Sequence, residues 1–289
     1  MNDRAAISRE AERPRHTKVI RPTRPWLGSV PGNFRALIAY SGLFRVMVAT
    51  RLKIRYRNSV LGWLWAVLQP LALMLLYAAI FSHAVGYSTA PTPYPLFVMA
   101  GLLPWSFCST SMSTAAGGML SHHALMAKVY FPREIVTLSY VAAAAFDFLI
   151  ALLLLLAMMP FYGVPISPPV LWVFPIMAIV ALHVAGICLL LSALQVHIRD
   201  INVALPLLLQ IFMFTAPVVY PASIVPLAYR TLYWANPLAI LVDDFRGAVL
   251  GGGAPGGAGL FYCALSGCAV FILGYASFKR LEAGIVDAM

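Results

Sequence analysis

Six stretches of roughly twenty apolar residues each, at about 61–83, 96–118, 135–160, 170–193, 202–220 and 258–278, limit what this chain can fold into. A hydrocarbon layer of roughly 30 Å is crossed by about 20 helical residues rising 1.5 Å each. With 61% hydrophobic residues, 10% charged residues and a mean hydropathy of +0.84, a chain of 289 residues has far more apolar surface than one soluble core hides. The sequence therefore predicts an all-α membrane protein with six transmembrane helices. Residues 221–257 are also apolar, but Pro221, Pro226, Pro237, Pro255 and the glycines of "GGGAPGG" break them too often for a single spanning helix.

The net charge of +10 is distributed as a membrane would demand rather than as nucleic acid would. Thirteen of the twenty Lys and Arg lie before Ser59. The later cations fall in the loop with Lys128 and Arg133, the loop with Arg199 and the tail with Lys279 and Arg280, whereas connections 84–95 and 161–169 carry none. Basic residues accumulate on the cytoplasmic side, so both termini are expected in the cytoplasm. Arg230 and Arg246 in the outer segment are offset by Asp243 and Asp244, which read as ion-pair partners. Cys108, Cys188, Cys263 and Cys268 lie in apolar runs without CxxC spacing and read as reduced packing residues.

Residues 1–33 have no apolar core and are rich in Arg and Pro, which predicts a disordered basic cytoplasmic tail. Residues 34–57 form a separate element. Phe34, Leu37, Ile38, Phe44, Val48 and Leu52 gather on one helical face opposite Arg35, Lys53 and Arg57, with Arg45 and Arg55 intruding. The pattern predicts an interfacial amphipathic helix whose long basic side chains snorkel to phosphates. Residues 58–289 make up the six-helix transmembrane domain.

Several segments, taken in order, resemble the integral-membrane subunit of type 2 ATP-binding-cassette exporters, in the branch that exports lipid-linked polysaccharides such as O-antigen, capsule or teichoic acid. They are "RYRNSVLGWLWAVLQP" at 55–70, "YPLFVMAGLLPWSF" at 94–107, "KVYFPREI" at 128–135, "IRDINVALPLLLQ" at 198–210, "APVVYP" at 216–221, and "NPL" with "DDFRGAVL" at 236–250. The resemblance covers nearly everything after residue 33. It implies a homodimer of six-helix subunits in the bacterial inner membrane, driven by two separate ATPase subunits that bind ATP and Mg. No G-x-x-x-x-G-K-[ST] loop occurs in the chain, so no cofactor is expected on it and its energy must come from a partner. The implied cargo is an undecaprenyl-diphosphate-linked polysaccharide, O-antigen first. The resemblance also implies short re-entrant helices between the fifth and sixth spans, making 221–257 an outer gate.

Within this frame the residues take expected roles. Arg51, Lys53, Arg55 and Arg57 sit where a lipid-linked diphosphate would first meet the protein, and guanidinium groups bind phosphate oxygens in pairs. Steering of the ATPase, or general attraction to anionic membrane lipid, stays open for the same group. Aromatic rings at Trp63, Tyr77, Phe81, Phe212, Phe214 and Tyr220 suit a glycan path, because ring faces stack on sugars without gripping one hydroxyl pattern. Pro132 disfavours helix at Phe131. By resemblance, Phe131, Pro132, Arg133 and Glu134, with Lys128, form the ATPase-coupling turn. Asp147 and His183 lie at similar depth on consecutive spans; they are expected to meet, or each to find a serine or backbone acceptor. No metal site is expected.

Two rival readings remain at this level. The same fold exports drugs or other lipids, although the "RYRNS" and "FPRE" pieces favour glycans. A membrane enzyme acting on polyprenyl phosphates would need clustered acids or histidines, and the ten Asp and Glu are dispersed.

Overall fold

The computed structural model describes residues 38–57, 60–84, 92–129 and 131–288. The expected tail 1–33 lies outside the described residues, as do 34–37 of the expected interfacial helix. Among the described residues the secondary structure is helical throughout. The order is α1 (Ser41–Arg57), α2 (Trp65–Ala78), α3 (Tyr94–Ala116), the short α4 (Gly118–Ser121) and α5 (His123–Lys128), α6 (Glu134–Met158), α7 (Val173–His197), α8 (Ile201–Met213), α9 (Leu227–Trp234), α10 (Pro237–Leu250) and α11 (Gly257–Ala288). A π-helical turn at Ala79–Ala84 extends α2, and 3-10 turns extend α6 and precede α7.

Among the described residues, five helical stretches are long and apolar enough to cross a membrane: Gly62–Phe81, Tyr94–Ala116, Glu134–Tyr162, Pro168–His197 and Gly257–Glu282. They agree with five of the expected runs. The run at 202–220 does not form one spanning helix. Its helix, α8, has 13 residues, hence a length of about 20 Å against the roughly 30 Å of hydrocarbon. The chain then turns through 214–220, because Pro217 disfavours helical geometry at Ala216 and Val218 donates instead to the Ala216 carbonyl at 2.8 Å.

The core is built around α3, whose residues from Leu96 to Trp105 are all buried. It packs against α2, α6, α7, α8 and α10. The outer helices α2 and α11 instead expose Leu75, Leu76, Phe261, Leu265, Ile272 and Leu273, side chains that lipid rather than water would cover. The most extensive helix pair is α7 with α11. A Cβ on Gly274 would lie 2.0 Å from the Gly186 carbonyl oxygen, so the two glycines let the backbones approach as only small residues allow.

Helix α10 shows how its end is specified locally. Asn236 caps it by accepting from the Leu238 N–H at 3.1 Å, Pro237 occupies the first turn where no N–H is required, and Gly251 ends it at a φ of 86°.

Candidate functional site

Three polar assemblies interrupt this apolar architecture, two at the base of α1 and α6 and one at the break after α8. Helix α1 does not merely rest in the headgroup layer; it packs on α6. Of the expected apolar face, Phe44, Val48 and Leu52 are half-buried but Ile38 is exposed; Met47 and Tyr56 are the buried residues, and Arg51 joins them on the side facing α6. Arg51 donates through Nε to the Ser139 hydroxyl at 2.7 Å and through Nη2 to the Val136 carbonyl at 3.3 Å, with its guanidinium 3.2 Å over the Tyr140 ring. Burial holds its pKa below the usual arginine value, against the opposing pull of Tyr140.

One helical turn on, Arg55 forms an ion pair with Asp147. Tyr56 donates to the other carboxylate oxygen at 2.6 Å, and burial followed by that bond pushes its phenol above the ordinary range. Asp147 and His183 therefore do not meet, and of the expected alternative only His183 takes a serine and a backbone acceptor. Asp147 takes α1 as its partner, since that helix comes close enough to offer both a cation and a hydroxyl, while His183 contacts the Ile179 carbonyl at 3.0 Å and the Ser266 hydroxyl at 3.1 Å. Lys53 and Arg57 stay exposed and form no ion pair among the described residues. The four cations of the cluster thus divide into two held by protein and two facing outward.

The turn before α6 is the second assembly. Phe131 is buried and Pro132 half-buried. Arg133 donates to the Glu282 carbonyl at 2.7 Å, and its Nε lies 3.9 Å from the Glu282 carboxylate. Glu134, buried to 1% exposure, pairs with Lys279 at 2.9 Å, and Lys279 also reaches Glu282 at 2.9 Å. Two acids and two cations therefore lock the expected coupling turn to the C-terminal part of α11. Lys128 ends α5 and is exposed. The sequence marked Arg133 and Glu134, but Lys279 served only as a topology marker and Glu282 was missed. The i, i+3 spacing of Lys279 and Glu282 was the available signal.

The third assembly surrounds the break after α8. Every carbonyl from Phe214 to Val219 has a donor. Tyr220 serves Phe214 at 2.7 Å, Asn236 serves Thr215 at 3.3 Å, Val218 N–H serves Ala216, Arg246 serves Pro217 and Val218, and Tyr94 serves Val219 at 2.5 Å. Arg246 is buried, reaches the Phe97 carbonyl at 3.3 Å, stacks 3.7 Å over its ring, and lies 3.6 Å from Asp243. It is thus the clasp of "APVVYP" as well as the expected ion-pair partner of Asp243, and it is buried rather than at the surface. Non-helical backbone among apolar helices persists only where its polar groups are satisfied in this way.

The aromatics expected along a path separate. Trp63 stacks on Tyr56 at 4.4 Å and meets Phe146 edge-on at 5.8 Å, so it buttresses the α1 anchor. Tyr77 and Phe81 are neighbours on the first span at 6.3 Å, and the Tyr77 hydroxyl reaches the Met213 sulfur at 3.7 Å, joining α2 to the end of α8. Phe212 and Phe214 there are each 51% exposed.

A chain of membrane-crossing helices, with a charged corner before α6 and a clasped break after α8, is a multi-pass membrane protein. The family model for ABC-2 type transporters matches residues 42–250, and the chain belongs to that family. Its relatives include an O-antigen export system permease protein RfbA of Myxococcus xanthus, 34% identical over 73% of this chain and 82% of that one. Another is the RfbA of Klebsiella pneumoniae, 28% identical over 73% and 81% respectively. The polysialic acid transport protein KpsM of Escherichia coli is 25% identical over 82% of this chain and 92% of its own.

Proposed function

We propose that the chain is the membrane permease subunit of an ATP-driven exporter of lipid-linked polysaccharide, with O-antigen carried on a polyprenyl diphosphate as the first candidate cargo. The observation that carries this reading is the similarity, along most of the membrane part, to relatives named for O-antigen and polysialic acid export. In this reading α8 and the clasped turn 214–220 together make the fifth of six passes, both termini are cytoplasmic, and α9 and α10 re-enter from outside as a gate. Two copies enclose the path in a bacterial inner membrane. Tyr77, Phe81, Phe212, Phe214 and Tyr220 on α2 and around the end of α8 offer ring faces to the glycan, with Trp63 at the entrance.

Two ATPase subunits, binding ATP with Mg, press on the corner made by Lys128, Phe131, Pro132, Arg133 and Glu134. The Glu134–Lys279–Glu282 cluster gives this corner a rigid hold on α11, so a push there moves two spans together. Lys53 and Arg57 are the cations free to meet the diphosphate, while Arg51 and Arg55 are held by α6. Deleting the gene is the direct test. Lipid-linked glycan is expected to accumulate on the cytoplasmic leaflet and to reach the surface again when the chain is restored; unchanged surface glycan would overturn the reading.

A further inference from the structure

A cavity of about 530 Å³ lies between α1, α3, the α4–α5 segment and α6. This is within the roughly 300–1,000 Å³ of ligand pockets. Its walls are mostly apolar, with Leu43 and Met47 from α1, Thr114 from α3, and Tyr140 and Ala144 from α6. Arg51 stands in the same wall, and its hydrogen bonds and ring contact go to Ser139, Val136 and Tyr140, all neutral. It makes no ion pair among the described residues, in contrast to Arg55, which also lines the cavity but is paired with Asp147. His122, also in the wall, is held below its usual pKa by burial, against the pull of the Gly118 carbonyl. A half-buried cation without an anion, in the wall of an oily cavity, calls for a ligand with a negative head and a hydrocarbon chain.

We propose that this cavity binds one anionic phospholipid of the surrounding bilayer, its phosphate on Arg51 and an acyl chain between α1, α3 and α6. Charge complementarity selects an anionic over a zwitterionic head, because the wall offers a cation and no carboxylate to meet an amine. The volume suits a single acyl chain and is too small for a long polyprenyl chain, which separates this site from any cargo contact at Lys53 and Arg57. The lipid would sit as a wedge between α1 and the segment that leads into the 131–134 turn. The inference stands whether or not the cargo is a glycan.

The test uses full-length protein extracted from its membrane in mild detergent and weighed intact by native mass spectrometry. It is titrated with phosphatidylglycerol or phosphatidylethanolamine of identical acyl chains. One phosphatidylglycerol per chain is expected to bind ahead of phosphatidylethanolamine. Arg51→Gln should weaken phosphatidylglycerol about tenfold, the loss of one charge-assisted hydrogen bond, while Arg51→Lys keeps the preference. Thr114→Trp, which fills the cavity from its rim, should abolish both; if that variant does not fold, the Arg51 pair decides alone. Wild-type phosphatidylglycerol binding by Arg51→Gln, equal binding of the two lipids, or displacement by equimolar undecaprenyl phosphate would each overturn the proposal.

Discussion

Asp147 is a carboxylate inside a spanning helix, and what makes it tolerable is that both of its oxygens are met, one by Arg55 and the other by Tyr56. The pair is only partly shielded, Arg55 being 40% exposed, so its contribution is discounted for solvent screening. Asp147→Leu is expected to lower stability by about 1–2 kcal/mol, from the loss of charge-assisted bonds and a stranded cation. Arg55→Leu added to it should recover part of that loss in a double-mutant cycle read by thermal unfolding in detergent. Arg246 is the sharper case because it is almost fully buried and serves three carbonyls. Arg246→Met should cost about 3 kcal/mol or more by leaving those acceptors empty, and Arg246→Lys should fail to restore it, since one ammonium cannot reproduce the planar fork. Unfolding temperatures equal to wild type for both variants would remove the clasp.

At the scale of elements, the α7–α11 contact and the corner at 131–134 are separate devices. Bulk at the glycine seam meets backbone, whereas a Cβ on Gly247 in α10 meets nothing within 4 Å. Gly186→Leu is therefore expected to lose about 1–3 kcal/mol or to fail to accumulate, while Gly247→Ala should be neutral or gain a few tenths by its helix preference. At the corner, Lys279→Glu places three acids together and should abolish export at normal protein levels. The swap Glu134→Lys with Lys279→Glu should return a measurable fraction, read as surface glycan. Lack of any recovery, with the protein still in the membrane, would mean that the cluster's geometry rather than its charge pairing matters. None of these pairings is local in the chain: Arg55 and Asp147 are 92 residues apart and Glu134 and Lys279 are 145 apart. Sequence patterning reaches neighbours on one helix face, so it marked the charged residues without their partners.

For the molecule as a whole, length and hydropathy made five spans legible because each is a long uninterrupted apolar run. The fifth expected run is apolar throughout but is not one long helix: Pro217 stops the helix and the tertiary donors Tyr94, Asn236 and Arg246 hold the turn that follows. Helix α1 is legible as a separate element, but its inward-facing Arg51 depends on packing against α6. The proposed arrangement of six passes with both termini cytoplasmic has its own test: a C-terminal tag is expected to resist a membrane-impermeant reagent in intact cells and to react after permeabilisation. The central claim is that this chain is a conduit without a motor of its own. It is tested most directly in proteoliposomes that hold lipid-linked glycan and the chain, with or without its ATPase subunits, by following glycan arrival at the opposite leaflet. Transport is predicted only with both proteins and hydrolysable ATP; transport or ATP hydrolysis by the chain alone would contradict the account.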